Sequence, residues 1–108
     1  MSTLEHLYPA RVFYYFKQIA AIPHGSGNTK AISEYRVKFA KEHALTWYQD
    51  EANNVVLVKE ASKGYEKAPA IIIQGHMDMV CEKEKDCNLD MDKEGLRLYV
   101  DGDFLKAE

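Results

Sequence analysis

The chain has 108 residues, of which 46% are hydrophobic and 29% are charged, and its formal net charge is −3. This length and this balance predict a small soluble globular domain with its own core. The charge gives no electrostatic reason to expect nucleic acid or an anionic membrane as a partner, and no apolar stretch is long enough to span a membrane.

The N-terminal segment and the cysteines favour a cytoplasmic protein. The apolar run at residues 12–16 is short and ends at Lys17, so this segment does not have the pattern of a signal peptide. Cys81 and Cys87 are too few for a disulfide framework. In the cytoplasm we expect both thiols to stay reduced.

Two helices are predicted in the first part of the chain. Helical spacing places the apolar residues of the first on one face: Val12, Phe13, Phe16, Ile19 and Ala20. Pro9 suits its first turn, and Pro23 with the following "HGSGN" ends it. Asn28 is predicted to cap the second helix, whose apolar face consists of Ile32, Tyr35, Phe39 and Ala40.

The hydrophobic pattern then changes to that of β-strands. Residues 45–49 and 54–60 are rich in β-branched and aromatic side chains, with a polar turn between them. The short apolar run at 70–75 does not alternate, which predicts a strand buried on both faces. Residues 96–107 predict a hairpin with a type I′ turn at the Asp-Gly pair 101–102. Two helices can hardly cover both faces of a buried strand, so we expect the first part of a larger α/β domain.

His76 and Asp78 follow the predicted buried strand and are the main candidates for chemistry. In an extended segment, residues two apart point to the same side. Neutral imidazole is a good zinc ligand, and its second nitrogen often donates to a carboxylate. The end of a buried α/β strand is also where such folds place their sites. The plainer alternative is that both residues are only the polar end of a strand.

Two other readings of nearby residues are weaker. His76, Cys81 and Cys87 would form a zinc site with thiolate ligands, but their spacing lacks the close cysteine pairs of structural zinc sites. Residues 24–28, "HGSGN", precede a helix, where free N–H groups can hold an anion. They lack the lysine of a phosphate-binding loop, so a glycine turn leading into a helix cap is the better account.

Three stretches of the chain carry a family resemblance: "AAIPHGSGNTKAISEY" (20–35), "DEANNVVLVK" (50–59) and "IIIQGHMDMVCEKEKD" (71–86). They resemble the start of the aminoacyl-histidine (Xaa-His) dipeptidases, which belong to the co-catalytic zinc metallopeptidases. The resemblance runs from about Leu7 to Glu108. It implies a three-layer α/β/α zinc-exopeptidase catalytic domain, of which residues 1–108 are the N-terminal portion, with helices first, then mixed sheet strands and a C-terminal β-hairpin.

The same resemblance implies roles for the two candidate residues. His76 corresponds to a zinc ligand, and Asp78 corresponds to the catalytic-site carboxylate that orients this imidazole. The other ligands of such enzymes and their general-base glutamate lie in motifs that these residues do not contain. The implied cofactor is a pair of zinc ions, with cobalt or manganese as alternatives, that activates a water for hydrolysis of a small dipeptide. A homodimer is the implied assembly.

Other functions remain open at this point. The same scaffold would serve a non-catalytic module for binding or assembly, or a related metallo-deacylase or aminopeptidase. An acidic cluster further along the full-length protein favours an enzyme, and its absence favours the binding module. We expect residues 1–108 alone to be catalytically inactive, since one imidazole cannot hold a catalytic zinc ion.

Overall fold

The computed structural model describes residues 4–108, and these form two helices followed by four short strands. The elements are α1 (Ala10–Ala20), α2 (Lys30–Glu42), β1 (Thr46–Gln49), β2 (Val55–Val58), β3 (Leu98–Asp101) and β4 (Phe104–Ala107). The chain divides into two compact units. The first comprises the chain up to Ile32 and from Asp78 onward, and the second comprises Ser33–Met77.

Helix α1 forms where the apolar spacing predicts it. Pro9 lies immediately before its first residue with extended backbone angles, so the proline precedes the first turn and is not part of it. Ala20 is buried at the C-terminal end, whereas Val12 and Phe16 of the predicted apolar face are exposed. Neither α1 nor α2, the helices of the described part of the chain, has the length and hydropathy of a membrane span.

Helix α2 buries a face close to the predicted one. Ile32 and Ala40 are fully buried, as the periodicity predicts, but Val37 and Ser33 are buried as well. Ser33 was not predicted because its hydroxyl is polar. Its Oγ accepts a hydrogen bond from Gln49 Nε2 (2.8 Å), which offsets the cost of removing the hydroxyl from water.

The start of α2 differs from the prediction. The helix begins at Lys30, two residues after Asn28, so Asn28 is not its cap. The Asn28 side chain instead donates from Nδ2 to the carbonyl oxygen of Asp92 (3.2 Å), and its N–H donates to the carbonyl oxygen of Gly25 (2.8 Å). The residue that the sequence assigns to a helix cap therefore closes the turn and binds a distant loop.

The C-terminal end of α2 is closed by a left-handed residue. Ala44 has φ 54°, and its N–H donates to the carbonyl oxygen of Lys41 (3.3 Å). The N–H of Leu45 donates to the carbonyl oxygen of Ala40 (2.8 Å). This pair of hydrogen bonds is the Schellman motif, in which glycine usually takes the left-handed position because it has no Cβ. Ala44 thus holds an unfavourable backbone conformation.

Strands β1 and β2 pair as an antiparallel hairpin with Gln49 opposite Val55. Asp50 organises the connecting loop, because its Oδ1 accepts hydrogen bonds from the N–H groups of Ala52 (2.9 Å) and Asn54 (2.8 Å). The Asn54 side chain donates to the other carboxylate oxygen (2.9 Å). The hydrogen bond from the Asn54 side chain, followed by those from the backbone, lowers the pKa of Asp50. The carboxylate therefore stabilises the loop above its ordinary pKa, and this contribution is lost as the pH falls.

Strands β3 and β4 form the predicted hairpin, but its turn lies one residue later than expected. Asp101 pairs with Phe104, so Gly102 and Asp103 are the two central residues. Gly102 has φ 61°, and Asp103 is not among the residues with positive φ. A type I′ turn needs positive φ at both central residues, whereas type II′ needs it only at the first, where glycine is preferred. The predicted type I′ turn at 101–102 is therefore wrong.

The predicted buried strand at residues 70–75 is not formed. This segment has no regular structure, and Ile71, Ile72 and Ile73 are 87%, 89% and 96% exposed. A strand exists only where a neighbouring strand takes up its backbone hydrogen bonds, and no described strand pairs with this run. The charged run at 82–86 is exposed, as predicted.

We predict that Ala44→Gly stabilises the protein by about 0.5–1 kcal/mol, because glycine adopts the left-handed conformation without a Cβ clash. The larger conformational entropy of glycine in the unfolded state offsets part of this gain. Urea denaturation followed by circular dichroism measures the change. Ala52→Gly is the control, since Ala52 lies in a turn without positive φ. An equal effect of both substitutions, or a loss at Ala44, contradicts the assignment of strain.

Candidate functional site

Asp78 lies beside the loop that precedes α2, and the two segments are joined by backbone hydrogen bonds. Gly25 and Met79 form an isolated parallel β-bridge. The N–H of Met79 donates to the carbonyl oxygen of His24 (3.0 Å), and the N–H of Ser26 donates to the carbonyl oxygen of Met79 (3.1 Å). We call this pairing of residues 24–26 with Met79 the bridge. It fixes the backbone at Met79, immediately after the predicted site carboxylate of Asp78.

The side chains of Ser26 and Asp78 meet next to the bridge. Ser26 Oγ donates a hydrogen bond to Asp78 Oδ2 at 2.7 Å. This length is typical of an O–H donor facing an ionised carboxylate, the stronger class of hydrogen bond. A carboxylate has several lone pairs on two oxygens, so the contact with Ser26 leaves capacity for further donors.

Gly25 allows the close approach of the two segments. A Cβ at this position would collide with the Sγ atom of Cys81. The Cys81 thiol therefore occupies the space beside the glycine. The glycine of "HGSGN" is thus required by packing against Cys81, in addition to its place in the turn.

His24 is buried and is held by its own loop. Its Nδ1 atom lies 2.6 Å from the carbonyl oxygen of Ile22. A carbonyl oxygen only accepts, so Nδ1 carries the proton in this contact. The imidazole thereby rigidifies the turn from which the His24 carbonyl oxygen reaches Met79.

His76 lies at the end of the irregular segment that contains the three isoleucines, and its side chain is exposed. It belongs to the second compact unit, whereas Asp78 belongs to the first. The pairing of His76 with Asp78 and the roles of both residues stay predictions. Among residues 4–108 there is no group of three or more histidine, cysteine or acidic side chains placed to hold a metal ion.

A cavity of about 670 Å³ in the first unit does not coincide with the predicted site. It is lined by the charged loop and the ends of the hairpin, including Glu82, Lys83, Leu89, Arg97 and Glu108. Neither His76 nor Asp78 lines it. The predicted site residues and this cavity are therefore separate features of the chain.

Ser26 lies in the site, although its sequence context between two glycines predicts only a turn. It is separated from Asp78 by 52 residues, and no local pattern joins two polar residues over that distance. The sequence signal at this turn is that residues 20–35 belong to one of the three stretches that resemble the dipeptidases, which does not indicate what Ser26 contacts.

Comparisons with known proteins place the chain beside two dipeptidases. It is 35% identical over 107 residues to the cytosol non-specific dipeptidase of Escherichia coli (strain K12), a match that covers 99% of this chain and 22% of that protein. It matches the crystal structure of aminoacylhistidine dipeptidase from Vibrio alginolyticus with a TM-score of 0.93 and 32% identity, again over 99% of this chain and 22% of the other. No protein-family model matches the chain.

The resemblance to dipeptidases is confirmed by these two matches. The α/β fold class is confirmed as well, because the helices and the small antiparallel sheets match a fragment of a solved dipeptidase. The chain spans about a fifth of the length of both relatives, 22% in each case.

We predict that Gly25→Ala destabilises the protein by about 1–3 kcal/mol, because the added methyl group must displace the Cys81 thiol or open the bridge. Adding Cys81→Ala removes the Sγ atom and should restore most of the loss, and urea denaturation of the single and double variants measures this coupling.

Gly75→Ala is the matched control for this cycle. A Cβ at Gly75 meets no atom within 4 Å, so its substitution should change the free energy of unfolding little. If Gly25→Ala is equally harmless, or if Cys81→Ala gives no recovery, Gly25 does not serve this close approach.

Proposed function

We propose that this chain is the N-terminal portion of the catalytic domain of a metal-dependent dipeptidase. The observation that carries the proposal is the match of 99% of the chain, in sequence and in structure, to two proteins named as dipeptidases. The exposure of Ile71, Ile72 and Ile73 agrees with it, because an apolar run of this kind is normally covered in a folded protein. In the full-length protein we expect these residues to form a sheet strand.

The donor atoms in the chain fit part of a zinc site. His76 offers an imidazole and Asp78 offers a carboxylate, both of which zinc sites use. We propose that His76 binds a metal ion directly and that Asp78 accepts a hydrogen bond from the imidazole, which fixes its tautomer. The remaining ligands and the general base would come from residues beyond this chain. When bound, the pair of zinc ions, or of cobalt or manganese, supplies an activated water and polarises the scissile carbonyl.

In this proposal Asp78 and Ser26 act on the metal-binding imidazole of His76 and do not contact the substrate peptide. Asp78, held by Ser26 and by the bridge, would orient the imidazole before the metal binds. Such preorganisation matters because a ligand that must be reoriented costs affinity for the metal. Without the other ligands, residues 1–108 alone would not hydrolyse a peptide.

The substrate that we propose is a small dipeptide with C-terminal histidine. The relative from Vibrio alginolyticus is named for aminoacylhistidine, whereas the one from Escherichia coli is named as non-specific. A dipeptidase of broad specificity is therefore the second candidate. A panel that compares Ala-His, β-alanyl-histidine, Ala-Leu and Gly-Gly as substrates of the full-length protein separates the two.

We further propose a cytoplasmic location and a homodimer, with neither nucleic acid nor membrane as partner. The location is supported by the name of the Escherichia coli relative, which is a cytosol enzyme. The absence of a nucleic-acid or membrane partner is supported by the net charge of −3. The homodimer rests on the family resemblance.

In the full-length protein we predict that His76→Ala abolishes dipeptide hydrolysis and lowers the content of bound metal, because a ligand is lost. Asp78→Asn should reduce activity or metal affinity by roughly 10–100-fold while the fold persists. Steady-state kinetics and metal analysis by mass spectrometry of the purified variants measure both effects.

His6→Ala is the control, since His6 is an exposed histidine that takes no part in the bridge, and this variant should retain wild-type activity and metal. Full activity and full metal content in His76→Ala would contradict the assignment of His76 as a metal ligand. Loss of an orienting carboxylate typically costs roughly 10-fold or more. If Asp78→Asn keeps its activity within about twofold of wild type at equal metal content, Asp78 does not orient the metal ligand.

A further inference from the structure

We infer that Ser26 is a positioning residue for the metal site and acts through the carboxylate of Asp78. This inference rests on the proposed function, which gives Asp78 its role. Ser26 is neither a metal ligand nor in contact with the scissile peptide in this account. Its task is to hold Asp78 in one orientation.

The first observation is the hydrogen bond from Ser26 Oγ to Asp78 Oδ2 at 2.7 Å. An aspartate side chain rotates about two bonds, and one carboxylate oxygen held by a donor restricts both rotations. The hydrogen bond from Ser26 engages Oδ2, and a carboxylate has lone pairs on both of its oxygens, so it can accept from more than one donor. In the proposed site Ser26 and the imidazole N–H would both donate to this carboxylate.

The second observation is that the donor itself is held by the backbone. Ser26 donates its N–H to the carbonyl oxygen of Met79, the residue that follows Asp78. The N–H of Met79 in turn donates to the carbonyl oxygen of His24. Donor and acceptor side chains are therefore carried by two segments that are hydrogen-bonded to each other on both sides of Gly25. The loop cannot withdraw Ser26 without breaking the bridge.

The third observation concerns the turn that presents Ser26. Gly25 gives the room for Cys81, and the N–H of Asn28 donates to the Gly25 carbonyl oxygen (2.8 Å). His24 is buried with Nδ1 on the Ile22 carbonyl oxygen. The serine is thus an exposed residue of a turn in which His24 and Gly25 are buried. A residue so placed presents its hydroxyl without the cost of ordering a flexible loop.

The experiment uses the full-length protein with the variants Ser26→Ala, Ser26→Thr and Ser62→Ala. Threonine keeps the hydroxyl, and Ser62 is an exposed serine in another loop. We measure kcat and KM on Ala-His, zinc affinity by competition with a chelator, and thermal unfolding of the metal-free protein. For Ser26→Ala we expect kcat and zinc affinity each to fall roughly 10-fold, with KM nearly unchanged. This is the lower end of the roughly 10–100-fold loss that follows when a residue supporting a metal ligand is removed.

Ser26→Thr should recover most of the activity, and Ser62→Ala should match wild type. The double variant Ser26→Ala/Asp78→Asn should be no worse than Asp78→Asn alone, since Ser26 acts only through that carboxylate. Wild-type kcat and zinc affinity in Ser26→Ala would overturn the inference. So would additive losses in the double variant, or a loss in Ser26→Ala that only follows the fraction of unfolded protein.

Failure of the proposed function gives a different result. If the wild-type protein hydrolyses none of the dipeptides, the dipeptidase proposal is wrong, and the zinc competition alone decides on Ser26. Weaker zinc binding in Ser26→Ala that Ser26→Thr restores would then still support a positioning role. Equal zinc binding in all variants would reject that role.

Discussion

The parallel pairing of Gly25 with Met79 is the interaction on which the arrangement of the candidate site depends. Two backbone hydrogen bonds, from Met79 to His24 and from Ser26 to Met79, join segments that are far apart in the sequence. Because they enclose Gly25, they set the distance between the turn before α2 and the stretch that begins at Asp78. The hydrogen bond between Ser26 and Asp78 is possible only while that distance is kept.

Hydrogen bonds have this importance because little apolar surface is buried. Among the described residues the buried hydrophobic side chains are few, and none of them is aromatic: Leu4, Ala20, Ile32, Val37, Ala40 and Leu89. Many larger apolar residues are exposed, with Ile71, Ile72 and Ile73 as the extreme case. Burial of apolar area normally supplies most of the favourable free energy of folding. In this chain the turn around Gly25 is therefore held chiefly by backbone and side-chain polar contacts.

The local elements of the fold were predictable from the sequence, whereas the contacts between distant segments were not. Helical spacing predicts α1 and α2, and β-branched and aromatic runs predict both hairpins, since these signals are local. The run at 70–75 has the composition of a strand, but strand formation depends on a partner that composition does not reveal. The observed turn lies one residue later than the predicted one, because the pairing of β3 with β4 decides the register.

Two residues of the candidate site were predictable from the sequence and one was not. His76 and Asp78 stand out because a histidine and an aspartate follow an apolar run, and the resemblance to dipeptidases gives them roles. Ser26 could not be joined to Asp78 from the sequence, because the contact spans 52 residues. The similarity to two dipeptidases connects these observations into one proposal: a metal-binding histidine, an aspartate that orients it, and a serine that holds the aspartate.

Anomalous X-ray diffraction from crystals of the full-length protein grown with zinc tests the proposed contacts among the metal ion, His76, Asp78 and Ser26 most directly. The account predicts an anomalous peak about 2.0–2.1 Å from a ring nitrogen of His76, the usual zinc–nitrogen distance. It also predicts that one Asp78 oxygen accepts from the second ring nitrogen of His76 and the other from Ser26 Oγ. A zinc peak that does not involve His76, or an Asp78 carboxylate turned away from Ser26, would contradict it.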